Sequence, residues 1–325
     1  MINIIQNRKI SYTISGILIL ISILSIFIWG LQPGIDFTGG SLMEVRFEAD
    51  RPTATTITDS LMNLDIGEVK VQPAGETNAI IRFKNIDEDK HQEVLKAISD
   101  IVAPVVDVDV TTDAVVDVTV DTTVATDLPA QLVIEERFET IGPVIGEEIK
   151  KKAWVAIFFT VIAIVLYIAY VFRKVSKPVA SWKYGIAAIV ALVHDIVIIT
   201  GLFSILGHFF GTEVNSLFIT ALLTILGFSV NDTIVVFDRT RENLNKHYSQ
   251  DFEKIVNDSV NSSITRSVNT SLTTLLILLA LFFFGGETIK DFVLALIAGV
   301  VVGTYSSIFV ASPIIVSWNK MKKMF

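Results

Sequence analysis

The chain has 325 residues, 51% of them hydrophobic, at a mean hydropathy of +0.60, which places it among integral membrane proteins. It has no cysteine, which excludes disulfides, thiol catalysis and thiolate metal sites, and its four histidines (His91, His194, His208, His247) lack the HxxxH or HExxH spacing of a zinc site. The net charge of −8 is uneven: residues 33–148 hold 24 of the 34 acids and 8 of the 26 bases, so an acidic soluble part is set against a membrane part flanked by bases, with no basic stripe for nucleic acid.

Arg8 and Lys9 precede an apolar segment from Ile10 to Leu31. About 20 such residues cross a hydrocarbon core of roughly 30 Å. A signal peptide has a shorter apolar core and a small-residue cleavage site, so the segment reads as an uncleaved first transmembrane helix with its amino end inside. Then comes Gln32-Pro-Gly-Ile-Asp-Phe-Thr-Gly-Gly-Ser41. Pro33 stops the helix, and Gly34, Gly39 and Gly40 permit tight turns. No lysine follows and no helix opens there, so a junction between membrane and soluble domain reads better than a phosphate loop.

The soluble stretch, from about Ser41 to Lys150, reads as a strand through Leu42, Val45 and Phe47 and a helix over Thr53–Leu64. Strands over Gly67–Gln72 and Asn78–Lys84 are joined by Pro73-Ala-Gly-Glu; a helix over Asp87–Ile98 and a strand over Leu132–Phe138 follow. The order β-α-β-β-α-β is the ferredoxin-like arrangement. Residues 103–130 alternate Val with Asp or Thr at strand period and are low in complexity, which predicts an extended insertion or a β-hairpin. Its carboxylates would suit Ca²⁺, but it has no DxDxDG loop.

Glu139–Gly146 turns the chain back through Gly142 and Pro143, and the next spans cover about Trp154–Phe172 and Tyr184–Phe203. The fourth runs from Leu217 to the Asp238–Arg239 border, the fifth covers about Val268–Phe284, and the sixth about Phe292–Val316. Between the fourth and fifth, an amphipathic loop of about 239–265 puts Phe252, Ile255, Val256 and Val260 on one helical face. With both ends inside, the inner short segments hold 14 bases and the outer ones only Lys150, Lys151, Lys152 and Lys290. That excess predicts cytoplasmic termini and an acidic domain outside.

Polar groups interrupt three consecutive spans. His194-Asp195 lies twelve residues in from Lys183. Asp232, between Asn231 and Thr233, sits roughly 10 Å from the inner end of its helix. A charge at such depth costs roughly 2.5–3.5 kcal/mol, so an intramembrane acid is a functional candidate by default. Arg266, Asn269, Thr270 and Thr273 follow i, i+3, i+4, i+7 on the fifth span, at a depth similar to that of Asp232. A guanidinium beside a carboxylate lowers its proton affinity, so a pair that parts as helices shift can load and release a proton. Each feature also has a plain structural reading: Arg266 snorkelling to lipid phosphate, the Thr/Asn stripe packing helices, and His194-Asp195 as a buried hydrogen-bonded pair. Ala295, Gly299, Gly303 and Ser307 form a small-residue stripe that reads as close helix packing. Ser229, Asn231 and Asp232 are oxygen donors for Na⁺ as an alternative coupling ion.

Gly34-Ile-Asp-Phe-Thr-Gly-Gly40, Val144-Ile-Gly-Glu-Glu148, His194-Asp195 and Gly227-Phe-Ser-Val-Asn-Asp-Thr-Ile-Val-Val-Phe-Asp-Arg239 resemble the SecF family of bacterial protein export, in the resistance-nodulation-division superfamily. The resemblance covers almost the whole chain and is weakest over 103–130. It implies an α-helical membrane protein of six transmembrane helices plus one external α+β (ferredoxin-like) domain inserted between helices 1 and 2. Residues 1–32 would be cytoplasmic end and first helix, 33–150 the external domain, and 151–325 helices 2–6, in the cytoplasmic (inner) membrane. It further implies partnership with SecD, the SecYEG channel and YajC, an unfolded preprotein as substrate, contact with membrane lipid, and use of the proton gradient, with no enzyme activity, cofactor or metal. Asp232 then matches the family's transmembrane acid, Arg266 the arginine opening the fifth helix, and Asp195 the acid of the third. His194, Asn231, Asn269 and Thr273 are candidates beside them; Gly34, Asp36, Gly39, Gly40, Gly142 and Pro143 would form the junction. The alternatives are a small-molecule or ion efflux half-transporter of the same superfamily, or a non-conducting scaffold for the translocon.

Overall fold

The computed structural model describes residues 2–48, 50–102, 132–171, 181–246 and 250–324. The alternating Val/Asp/Thr stretch, the basic residues Arg173, Lys174 and Lys177, and His247 lie outside the described residues. The chain divides into two units, Met1–Phe37 with Glu147–Phe325, and Thr38–Gly146.

Among the described residues six helices are long and apolar enough to cross a membrane: Arg8–Trp29, Pro143–Val171, Trp182–Phe210, Ser216–Lys246, Phe252–Phe284 and Glu287–Lys320. The helices are α1 (Arg8–Trp29), α5 (Pro143–Val171), α6 (Ser181–Phe210), α7 (Ser216–Lys246), α8 (Phe252–Phe284), α9 (Lys290–Ser306) and α10 (Ser312–Met324). A single helical turn, α2 (Ile35–Thr38), follows α1 before the sheet begins. The packing of α1 inverts that of a helix in a water-soluble bundle. On α1 the buried residues are Ser11, Ser15, Ser22 and Ser25, while Ile10, Ile14, Ile17 and Leu20 are exposed. Small polar residues face protein and large apolar ones face outward, as expected where lipid replaces water. A Cβ on Gly201 would lie 2.3 Å from Ser22 Cβ, so this glycine lets α1 and α6 meet backbone to backbone. Gly299 does the same for α9 against Ile225 of α7, at 2.2 Å, and Gly303 approaches Ser229. The small-residue stripe of the sixth span is a packing seam, as its spacing predicts.

Three boundaries depart from the sequence expectation. α5 opens at Pro143, eleven residues before Trp154, because proline suits the first helical turn. The loop expected over 239–265 is largely helix: α7 runs on to Lys246 and α8 starts at Phe252, with the apolar face of Phe252, Ile255, Val256 and Val260 buried against the bundle. The sixth span is broken by a π turn over Ser307–Ala311. Pro313 cannot donate to the carbonyl of Phe309, which its ring would crowd, and the chain absorbs this as one wider turn. Ser312 Oγ donates to the carbonyl of Ser307 at 3.0 Å across that turn.

In the second unit, β1 (Gly40–Phe47), β2 (Lys70–Ala74), β3 (Asn78–Phe83) and β4 (Val133–Ile141) form an antiparallel sheet in the order β2-β3-β1-β4. α3 (Ala54–Leu61) and α4 (Glu88–Val102) cover one face, burying Ile57, Leu61, Val94 and Ile98 against Met43, Val45, Phe47, Ala79, Ile81 and Phe83. Thr53 Oγ1 caps α3 by accepting from Thr56 N. β2 extends through Pro73 to Ala74, where a turn was expected; an edge strand tolerates a residue without an N–H. His91 stacks on Phe138 at 3.8 Å and bridges Glu88 and Glu135, which fastens α4 to β4.

Candidate functional site

Two carboxylates lie inside the helical unit, and their surroundings differ. Asp195 on α6 is 1% exposed and both its oxygens are satisfied. His194 Nδ1 lies 2.9 Å from Oδ1, while Ser229 Oγ of α7 and Ser306 Oγ of α9 donate to Oδ2 at 2.6 and 2.8 Å. The imidazole faces Tyr305 at 6.1 Å, and the Tyr305 hydroxyl reaches Ser15 Oγ at 3.1 Å and the Ser11 carbonyl at 3.2 Å. One acid thereby ties α6, α7 and α9 together, with α1 reached through Tyr305. His194 Nε2 is buried and makes no hydrogen bond.

Asp232 on α7, one turn along from Ser229, has one hydrogen-bond partner where Asp195 has three. Ser267 Oγ of α8 donates to its Oδ1 at 2.5 Å. Its Oδ2 is shut from solvent without a hydrogen bond; Ser307 is a polar neighbour but lacks hydrogen-bond geometry. Ser307 Oγ is instead engaged with Thr233 Oγ1 at 2.9 Å and the Gly303 carbonyl at 3.0 Å. From Ser267 the polar chain continues through Ser271 Oγ, which donates to the Ser267 carbonyl at 2.9 Å and meets Thr304 Oγ1 at 2.5 Å.

The remaining candidates sit apart from Asp232. Arg266 is exposed, beside an open groove of about 390 Å³ lined by Asp238, Arg239, Glu242, Ser262 and Ser263. Among the described residues no ion pair joins it to Asp232, so the contact expected from their similar depth is absent in this conformation. Asn269 and Thr273 are exposed, and Thr273 Oγ1 bonds only to the Thr270 carbonyl of its own helix. α8 carries two polar stripes: Arg266, Asn269, Thr270 and Thr273 face outward, and Ser263, Ser267 and Ser271 face the bundle. The stripe that meets Asp232 is the serine one. Its spacing of four residues was visible in the sequence, and serine is the smaller side chain, which lets α8 come close to α7 and α9. Asn231 faces a groove of about 410 Å³ between α5 and α7, lined also by Thr160, Tyr167 and Gly227. Ser229, Asn231 and Asp232 thus point to three different surroundings and form no common oxygen cage for Na⁺.

At the N-terminal end of α7, the junction residues Gly34 and Asp36 hold the segment 214–216. Gly34 N donates to the Val214 carbonyl at 2.8 Å, and Asp36 Oδ2 accepts from Ser216 N at 2.7 Å and from Ser216 Oγ. In the second unit, Gly39 holds a φ of +73° and a Cβ there would lie 2.8 Å from Pro143 Cα, which explains the glycine. Gly40 follows at φ +137°, whereas Gly142 has open space around it.

The family described as "Protein export membrane protein SecD/SecF, C-terminal" matches residues 122–321, and the "SecD/SecF GG Motif" matches residues 24–50. The protein translocase subunit SecF of Thermobaculum terrenum is 41% identical, over 98% of this chain and 94% of the relative, and that of Anaerolinea thermophila is 36% identical over the same shares. The crystal structure of SecDF, a translocon-associated membrane protein from Thermus thermophilus, superimposes with a TM-score of 0.78 at 31% identity. The match covers 98% of this chain and 39% of that one, so this chain spans well under half the length of SecDF. The chain belongs to the SecD/SecF family of protein export membrane proteins, on its SecF side.

Proposed function

We propose that this multi-pass membrane protein is an auxiliary subunit of the Sec translocase that, with SecD and the SecYEG channel, uses the proton motive force to promote preprotein translocation across the cytoplasmic membrane. Relatives matching nearly the whole chain are named translocase subunits, and a similar solved chain carries both names, SecD and SecF, which supports SecD as the partner. Both termini are cytoplasmic by the excess of inner bases, and the unit 38–146, read as a ferredoxin-like domain between the first two spans, lies outside, where it meets emerging preprotein.

The observation that carries the proton reading is the half-satisfied Asp232. A buried carboxylate oxygen with no donor is expensive, whereas the neutral acid can carry its own proton there. Loading a proton on Asp232 favours one packing of α7 against α8 and α9, and releasing it toward the charge of Arg266 favours another, a population shift biased by one proton. We take H⁺ as the coupling ion; the diverging surroundings of Ser229, Asn231 and Asp232 support H⁺ over Na⁺. Asp232→Asn keeps size and removes the titratable group. It is expected to lose proton-coupled export while still co-purifying with SecD; export at the wild-type rate would sink this mechanism.

A further inference from the structure

We propose that Asp36 is a positioning residue for this coupling: its carboxylate clips the outer end of α7 to the segment through which the chain leaves the membrane unit. The inference rests on Asp232 being the coupling acid. Ser216 and Asp232 lie on one continuous helix, 16 residues or about 24 Å apart, so a shift of α7 at its acid is also a shift at Ser216. The first N–H groups of a helix have no acceptor of their own. Asn215 Oδ1 takes the Phe218 N–H at 3.0 Å, and Asp36 takes that of Ser216. A carboxylate also suits the positive end of the helix.

Around this cap the segment runs alongside Val214 like a strand: Val214 N donates to the Gln32 carbonyl at 2.7 Å, Gly34 N donates to Val214, and Pro33 and Val214 form a parallel bridge. Ile35 and Val214 are buried, and Leu31 and Phe37 pack on the apolar cluster of Phe218 and Phe203. The chain continues from Phe37 directly into the second unit at Thr38. The outer end of the Asp232 helix is therefore held to the exit segment by two backbone hydrogen bonds, an apolar cluster and one carboxylate. The carboxylate is the part that grips the helix terminus itself.

The chain has no cysteine, so an introduced pair reacts alone. A Cβ on Gly34 would lie 3.4 Å from Asn215 Cβ, close to the range of about 3.5–4.5 Å that a disulfide spans. Asp36→Ala is expected to lower gradient-driven export roughly fivefold, the ratio a typical helix cap contributes. In that background, Gly34→Cys with Asn215→Cys supplies a covalent clip. Cells carrying the triple variant should export faster under an external oxidant than after a membrane-impermeant reductant. The comparison is made within one folded protein, so it is independent of any loss in assembly. Wild-type export by Asp36→Ala, or a triple variant indifferent to oxidation, overturns the proposal. Asp232→Asn run in parallel separates the two ideas: full export there sinks the proton reading, whereas an inactive Asp232→Asn beside a redox-indifferent triple variant sinks the clip alone.

Discussion

Asp195 and Asp232 are both carboxylates within apolar helices, and the donors around them set different tasks. With three partners on three elements, Asp195 is a tie, and removing it leaves buried polar groups unpaired at a cost of about 1–3 kcal/mol each. Asp195→Ala should therefore reduce the amount and the melting temperature of the purified protein; an unchanged melting temperature would contradict the role. Asp232 has one donor, so its surroundings leave room for a change of state. Ser267→Ala removes that donor, a buried hydrogen bond whose loss leaves its partner unpaired at about 1–3 kcal/mol, and should cut gradient-driven export roughly tenfold. Thr273→Ala, on the outward stripe, should change it far less. Equal losses from the two would place the site on the wrong face of α8. Both acids were legible as lone charges in apolar runs. Which of them is satisfied was not, because donors such as Ser306 lie 111 residues away in the chain.

At the scale of elements, hydropathy located every span because lipid leaves the backbone only helix or closed barrel to adopt. It misjudged ends: α5 begins earlier, α7 runs on to Lys246 and α8 starts at Phe252, within a stretch whose helical face was legible but whose continuity with the spans was not, because hydropathy does not separate polar helix from linker. The small-residue stripe was legible and its partner was not; the partner is α7, at Ile225 and Ser229. Gly299→Ala would force its Cβ into Ile225 and should cost about 1–3 kcal/mol, read as a lower melting temperature, with part of it regained by adding Ile225→Val. A neutral Gly299→Ala would contradict the close approach. The π turn beside Ser307 was hidden, since a proline announces a break without saying how it is absorbed. That turn aligns Ser306 with Asp195 and Ser307 with Thr233, so the irregularity lies within the polar network itself.

At the scale of the whole molecule, the two units have separate cores, and the sheet with its two helices buries an unbroken apolar layer of its own. A fragment of residues 38–146 should fold alone, with a cooperative thermal transition; a fragment without one would show that the membrane unit supplies part of its stability. The order of strands and helices was readable from period and turn residues, whereas the sheet order β2-β3-β1-β4 needed pairings that periodicity does not encode. In the membrane unit, only 6% of the apolar window of α5 is buried, and α8 also shows a broad outward face. Such flanks suit lipid and a second bundle such as the one we propose SecD supplies. The account stands or falls on Asp232, and its most direct test is export of a secreted reporter with the proton gradient first clamped and then collapsed, in wild type and in Asp232→Asn. The prediction is that wild type slows on collapse, while the variant is slow throughout and indifferent to the gradient. If both respond to the gradient alike, Asp232 is a structural acid and the coupling lies elsewhere.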